Sequence, residues 1–91
     1  MQYIRMRERS LRYYMDPMCK ILHRDEGPAV TYNNGCVEFW NLGVLHNSDG
    51  PAIVTKNGKK VYYLFGKRFN NYADWEQSKK IFNISESSNK V

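Results

Sequence analysis

His23, His46, Cys19 and Cys36 have the widest chemical repertoire in this 91-residue chain. A catalytic dyad needs two different groups brought together, a base and the group it activates. The two histidines instead recur in one local context, His23-Arg24-Asp25-Glu26-Gly27-Pro28-Ala29 and His46-Asn47-Ser48-Asp49-Gly50-Pro51-Ala52. Residues that recur in register do one mechanical job twice, such as hydrogen-bonding a turn. Neither cysteine has a base that the sequence ties to it. All four are of the types that zinc takes in fours, but their spacing, with 3, 12 and 9 residues between, matches no standard zinc site. Asp25-Glu26-Gly27 and Ser48-Asp49-Gly50 supply too few oxygens for a calcium loop. The expectation is a protein that is not an enzyme, with no catalytic residue, metal or cofactor.

The cations carry more information. Lys and Arg number 14 against 9 Asp and Glu, a net charge of +5. Arg5, Arg7 and Arg9 alternate, so on a strand they would share one face, and Arg12 follows closely. Lys56, Lys59, Lys60, Lys67 and Arg68 crowd a second stretch that also holds Tyr62 and Tyr63. Cations that neutralise phosphates beside rings that stack on bases make a footprint for single-stranded nucleic acid. The same residues suit an acidic protein surface, and they also suit a solvated face beside core aromatics. All three readings stay open at this point.

The elements that must position these side chains show a repeat. His23 to Val30 returns as His46 to Ile53, an offset of 23 residues. In the same register Asn34-Gly35 returns as Asn57-Gly58, Phe39-Trp40 as Tyr62-Tyr63, and Gly43 as Gly66. Gly-Pro makes a turn and sets φ at a strand start. Asn-Gly is the strongest short hairpin signal, because both residues tolerate positive φ. Each repeat therefore reads as strand, tight turn, strand, turn, with second strands over Cys36 to Asn41 and Lys59 to Phe65. Leu11 to Tyr14 and Lys20 to His23 read as a preceding partial repeat with a longer connection. Along the second strands, Trp40 and Tyr63 fall on one face and Phe39 and Tyr62 on the other. The first face is expected in the core, leaving Phe39 and Tyr62 as an aromatic binding platform.

Tyr72, Trp75, Ile81 and Phe82 then fall near one face of a helix, with Asn71 as its N-cap and Asp74 in its first turn. The expected organisation is one mainly β (α+β) domain over 1–84, an antiparallel hairpin meander. It comprises a partial repeat 11–22, repeats 23–45 and 46–68, a helix over about 72–82, and a flexible tail 85–91. The longest apolar run, Val61 to Phe65, is too short to cross a membrane, and Met1 to Leu11 has no apolar signal-peptide core. A cytoplasmic protein with reduced cysteines is expected. Open strand edges leave a homodimer as an option.

The pattern His-Arg-Asp-x-Gly-Pro-Ala, a short strand, Asn-Gly, a strand with paired aromatics, and Gly-x-Leu-His resembles the MORN-like repeats found in many phage and giant-virus proteins. It is carried by His23 to Ala29, Asn34-Gly35, Phe39-Trp40 and Gly43 to His46, and again from His46 to Gly66. Gly66-Lys67-Arg68-Phe69 running into Tyr72-Ala73-Asp74-Trp75 is similar to the end of such arrays. The resemblance implies hairpin sheets that act as binding platforms, with no shared active site. It also implies a small phage accessory protein that antagonises a host defence factor, such as a toxin, nuclease or signalling enzyme, by direct binding in the host cytoplasm. The partner is then a host protein, with RNA as the alternative, alone or together with the protein target, and no membrane. Asn47-Ser48 in place of Arg24-Asp25 and the arginine-rich start depart from the pattern.

Overall fold

The computed structural model describes residues 2–88, with side chains as far as Ile81. Nine strands precede one helix: β1 (Tyr3–Arg7), β2 (Ser10–Tyr14), β3 (Val30–Tyr32), β4 (Val37–Glu38), β5 (Trp40–Asn41), β6 (Val44–Leu45), β7 (Ile53–Val54), β8 (Lys60–Leu64), β9 (Lys67–Phe69) and α1 (Tyr72–Ser88). Seven of them form one antiparallel sheet in the order β1-β2-β3-β4-β7-β8-β9, and β5 pairs with β6 alone. The fold is mainly β, antiparallel strands closed by a C-terminal helix.

The N-terminal arginine segment pairs into this sheet. β1 lies along β2 with Arg5 opposite Arg12 and Arg7 opposite Ser10. Glu8 and Arg9 make the connection, so Arg9 sits in a turn and not on the face shared by Arg5 and Arg7.

The turn chemistry differs from the expectation. At Asn34-Gly35 only the glycine has positive φ, 97°. Tyr32 and Cys36 close a three-residue loop through Tyr32 N–H to the Cys36 carbonyl (2.9 Å) and Gly35 N–H to the Tyr32 carbonyl (3.0 Å). This is the longer hairpin in which a glycine bulge follows an ordinary turn. Both-positive pairs occur instead at Leu42-Gly43 (48° and 86°) and Phe65-Gly66 (48° and 84°). A branched or aromatic side chain in that region strains the backbone by about 1–2 kcal/mol. Something must hold these two turns, and the histidines do so, as described below.

The molecule measures 45 × 32 × 17 Å, so it is thin, and few side chains are fully enclosed. Tyr14, Ala29, Val30, Ala52 and Trp75 form the buried apolar set. Ala29 and Ala52 are both fully buried. Their N–H groups donate to the carbonyls of Glu38 (2.8 Å) and Val61 (2.9 Å), so strand pairing begins directly after each Gly-Pro. Trp75, the largest buried side chain, comes from α1.

The helix starts where its cap requires. Asn71 Oδ1 accepts the Asp74 N–H at 2.9 Å, satisfying one of the donors a helix start leaves open. α1 packs against β8 and β9 and lays Trp75 on Tyr62, ring centroids 5.1 Å apart. The expected assignment of faces is thereby corrected: the helix covers the Tyr62 side. Tyr62 is a half-buried packing ring and not part of an open platform, because the thin sheet has one helix to enclose it and that helix carries its large apolar residue to this side. The helix also runs past its expected end to Ser88, and residues 89–91 of the expected tail lie outside the described residues.

Candidate functional site

The two histidines are turn holders. His23 is buried, and its Nδ1 accepts the Leu42 N–H at 3.0 Å. His46 Nδ1 accepts the Phe65 N–H at 2.9 Å. The neighbouring turn N–H groups are taken by the residue before each histidine: Gly43 donates to the Leu22 carbonyl and Gly66 to the Leu45 carbonyl, both at 2.8 Å. A Leu-His pair thus latches each strained turn, using one carbonyl and one ring nitrogen. An Nδ1 that accepts must be unprotonated, which puts the ring proton on Nε2. In His23 that Nε2–H donates to Asp25 Oδ1 at 2.8 Å. His46 stacks on Phe65, centroids 4.1 Å apart. Burial pushes the His46 imidazole below its ordinary pKa, opposed by the Asp49 carboxylate. Both rings are committed to the backbone, so neither is poised as a general base.

The cysteines hold apart from the histidines' work. Cys36 Sγ accepts the Lys56 N–H at 3.1 Å. Cys19 takes a φ of 56° in the connection after β2, which Asp16 organises by accepting N–H groups from Lys20 and Ile21. Those backbone donors, Ile21 first, lower the Asp16 pKa. Among the described residues no three His, Cys, Asp or Glu side chains gather as metal ligands.

A cleft of about 450 Å³ lies between the His23–Gly27 and His46–Asp49 loops, floored by Phe39 and Trp40. Phe39, expected on an open platform, is half-buried here. Arg24 is a pillar of the wall: its guanidinium lies 4.0 Å from the Tyr13 ring centroid and donates to the Pro28 carbonyl at 3.3 Å. In the second loop Asn47 makes the matching bond to the Pro51 carbonyl at 2.9 Å.

The expected basic patch divides in two. In an antiparallel order the turns β1–β2, β3–β4 and β7–β8 fall at the same end of the sheet. Hydrogen bonds tie them side by side: Asn33 N–H donates to the Arg9 carbonyl at 2.8 Å, and the Lys56–Cys36 bond joins the next pair. Exposed Arg7, Arg9, Lys56, Lys59 and Lys60 gather at this hairpin-tip edge, with Arg5 and half-buried Arg12 behind them. Neighbouring strands lie about 4.8 Å apart, so the row from the first tip to the third spans about 19 Å. Lys67 and Arg68 are exposed at the other end, beside the Phe65-Gly66 turn.

Charge is segregated as a result. Seven of the 14 cations lie on or behind the hairpin-tip edge with two carboxylates, Glu8 at the first tip and Glu38 level with Arg12. The remaining seven share the rest of the chain with seven carboxylates, so the net charge of +5 resides at this end. The ring nearest the edge is Tyr32, which lines a hollow with Arg9, Asn33 and Asn34. Its hydroxyl donates to Glu38 Oε2 at 3.3 Å, its face lies 6.0 Å from the Arg12 guanidinium, and burial, then Glu38, raises its pKa. Tyr62 and Tyr63, which interleave with lysines in sequence, do not accompany them at this edge. Sequence reasoning missed the amides of Asn33 and Asn34 here. The signal was available: strand alternation sends every second turn to the same end.

Comparison with protein-family models, with curated proteins and with solved structures finds no match for this chain.

Proposed function

We propose that this protein is a non-enzymatic binding module that docks its hairpin-tip edge on an acidic surface of another protein. The observation that carries this reading is the segregation of charge. Five exposed cations along a row of about 19 Å, backed by Arg5 and Arg12 and offset only by Glu8 and Glu38, make a field that steers an acidic partner and fixes its register. The chain is further read as a meander of 23-residue repeats of the MORN-like kind. In support, the His23–Leu42 and His46–Phe65 bonds recur at that offset. So do the Arg24–Pro28 and Asn47–Pro51 bonds. The motif resemblance alone suggests the wider role: a phage accessory protein that antagonises a host toxin or other defence factor in the host cytoplasm.

RNA binding is the second reading, because a continuous cationic row also suits a phosphate backbone. A protein partner is favoured because Tyr62, near the lysines in sequence, packs beneath α1, and Tyr32, beside the edge in space, is held by Glu38, so neither ring is a free stacking platform.

The test compares the tagged wild type with Arg9→Glu/Lys56→Glu/Lys59→Glu, isolated from host cells at about 0.15 M salt. A protein partner retained by the wild type and lost by the triple variant is expected. Nucleic-acid absorbance that disappears with nuclease would replace the protein reading by the RNA reading. A partner retained equally by the triple variant would refute the hairpin-tip surface.

A further inference from the structure

β1 is an outermost strand of the seven-stranded sheet, while α1 packs near the opposite edge, on β8 and β9. Five residues long, β1 is among the longest strands of the fold. Natural sheets usually blunt such an edge, because its unpaired peptide groups are a template for another strand.

The direction of those peptide groups follows from the ladder. On β2, the Arg9 carbonyl and the Tyr13 N–H bond towards β3, to Asn33 and Ala29. The alternation of an antiparallel strand therefore turns Ser10, Arg12 and Tyr14 towards β1. Their partners Arg7, Arg5 and Tyr3 face inward in return. The N–H and carbonyl groups of Ile4 and Met6 then face outward, away from the sheet.

The side chains give that edge a chemical identity. Ile4 and Met6 are 58% and 66% exposed on one face. Arg5 and Arg7 are exposed on the other, with Arg12 beside Arg5. In an antiparallel ladder, cross-strand partners share a face. A segment pairing with β1 thus places its residues alternately beside apolar side chains and beside arginines. A second copy related by a two-fold axis would bring the two arginine faces together, where like charges oppose pairing.

We propose that β1 accepts a partner's strand by edge addition, and that this strand alternates acidic and apolar residues. The acidic positions pair with Arg5 and Arg7, and the apolar positions lie on Ile4 and Met6. The Ile4 and Met6 peptide groups supply up to four backbone hydrogen bonds, the mode in which main chain gives affinity and alternate side chains give specificity. The inference rests on the proposed docking to an acidic protein partner and names the segment that is held.

The probe is a short blocked peptide alternating glutamate with valine, compared with the same peptide N-methylated at the positions facing β1. Titration is followed by NMR on the full chain. Expected are slowed exchange of the Ile4 and Met6 amides on binding, at least tenfold weaker binding after N-methylation, and at least tenfold weaker binding by Arg5→Glu/Arg7→Glu. Met6→Pro, which an edge strand tolerates where its N–H faces out, is expected to weaken binding to the same extent. Equal binding of the N-methylated peptide, or unchanged Ile4 and Met6 amides at saturation, overturns edge addition even if Met6→Pro fails to fold. A dimer of the free protein that Met6→Pro dissociates and the peptide cannot displace also overturns it, since a second copy then fills the edge. Loss of the cellular partner in the hairpin-tip triple variant, together with an inert β1, would refute edge addition and leave acidic docking standing. Retention of the partner by that triple variant fails the docking reading itself.

Discussion

Replacing His23 with alanine tests the account of the latched turns most directly. The ring is 7% exposed, and its two nitrogens bond the Leu42 N–H and Asp25. Losing the Leu42 bond costs about 0.5–1.5 kcal/mol net. Removing the buried ring leaves a void whose transfer and cavity terms add about 2 kcal/mol. The expected loss is therefore about 2–4 kcal/mol, a large share of the 5–15 kcal/mol or so that stabilises a typical domain. For a domain of this size it corresponds to a fall in Tm of about 10–25 °C. His46 makes the same bond but is half-buried, and the Phe65 N–H it serves lies on an exposed turn where water can replace it. His46→Ala should cost about 1–2 kcal/mol. Urea unfolding followed by far-ultraviolet circular dichroism measures both. A His23→Ala protein within about 0.5 kcal/mol of wild type, or one more stable than His46→Ala, would refute the latch.

Three further outcomes follow from the same structure. The His46 imidazole is held below its ordinary pKa in the folded state, so the folded protein binds fewer protons there than the unfolded chain. The stability this site provides is complete above the unfolded pKa of about 6.5 and is lost as pH falls through the lower folded value; denaturation at a series of pH values should show a smaller acid-side loss in His46→Ala than in wild type. Leu42 holds a φ of 48° and is 59% exposed, and asparagine adopts that conformation readily, so Leu42→Asn should stabilise by about 0.5–1 kcal/mol in the same assay. Trp75 is 2% exposed, packs on Tyr62 and donates from Nε1 to the Asn47 carbonyl at 3.3 Å; Trp75→Ala should cost about 3–5 kcal/mol, and a loss below about 1 kcal/mol would mean that α1 does not close the core.

Much of the site's material was legible along the chain, but its assembly was not. Arg5, Arg7, Arg9, Lys56, Lys59 and Lys60 stand out as cations in sequence, and five of the six are grouped only because alternate turns return to one end of the sheet. Lys67 and Arg68 look equally close to Lys59 and Lys60 on paper. β8 carries them away: Lys60 to Leu64 is a run of extended strand, about 3.4 Å per residue, before the chain reverses at Phe65-Gly66. Tyr62 was expected on an open face because pleat alternation separates it from Tyr63, and alternation alone does not say which face a helix will choose.

Sequence by itself determined the local chemistry. Short β-rich runs between turn residues made antiparallel strands, and the helical period after Asn71, with its capping amide, made the terminal helix, because both signals act within a few residues of chain. Tertiary structure decided the rest. Asn34-Gly35 carries the stronger signal for a both-positive turn, yet Leu42-Gly43 and Phe65-Gly66 adopt one. Their N–H groups are received by Leu22, His23, Leu45 and His46, residues about twenty positions earlier in the chain. A local preference of about 1–2 kcal/mol is outweighed when two hydrogen bonds and the burial of a ring depend on its being overridden.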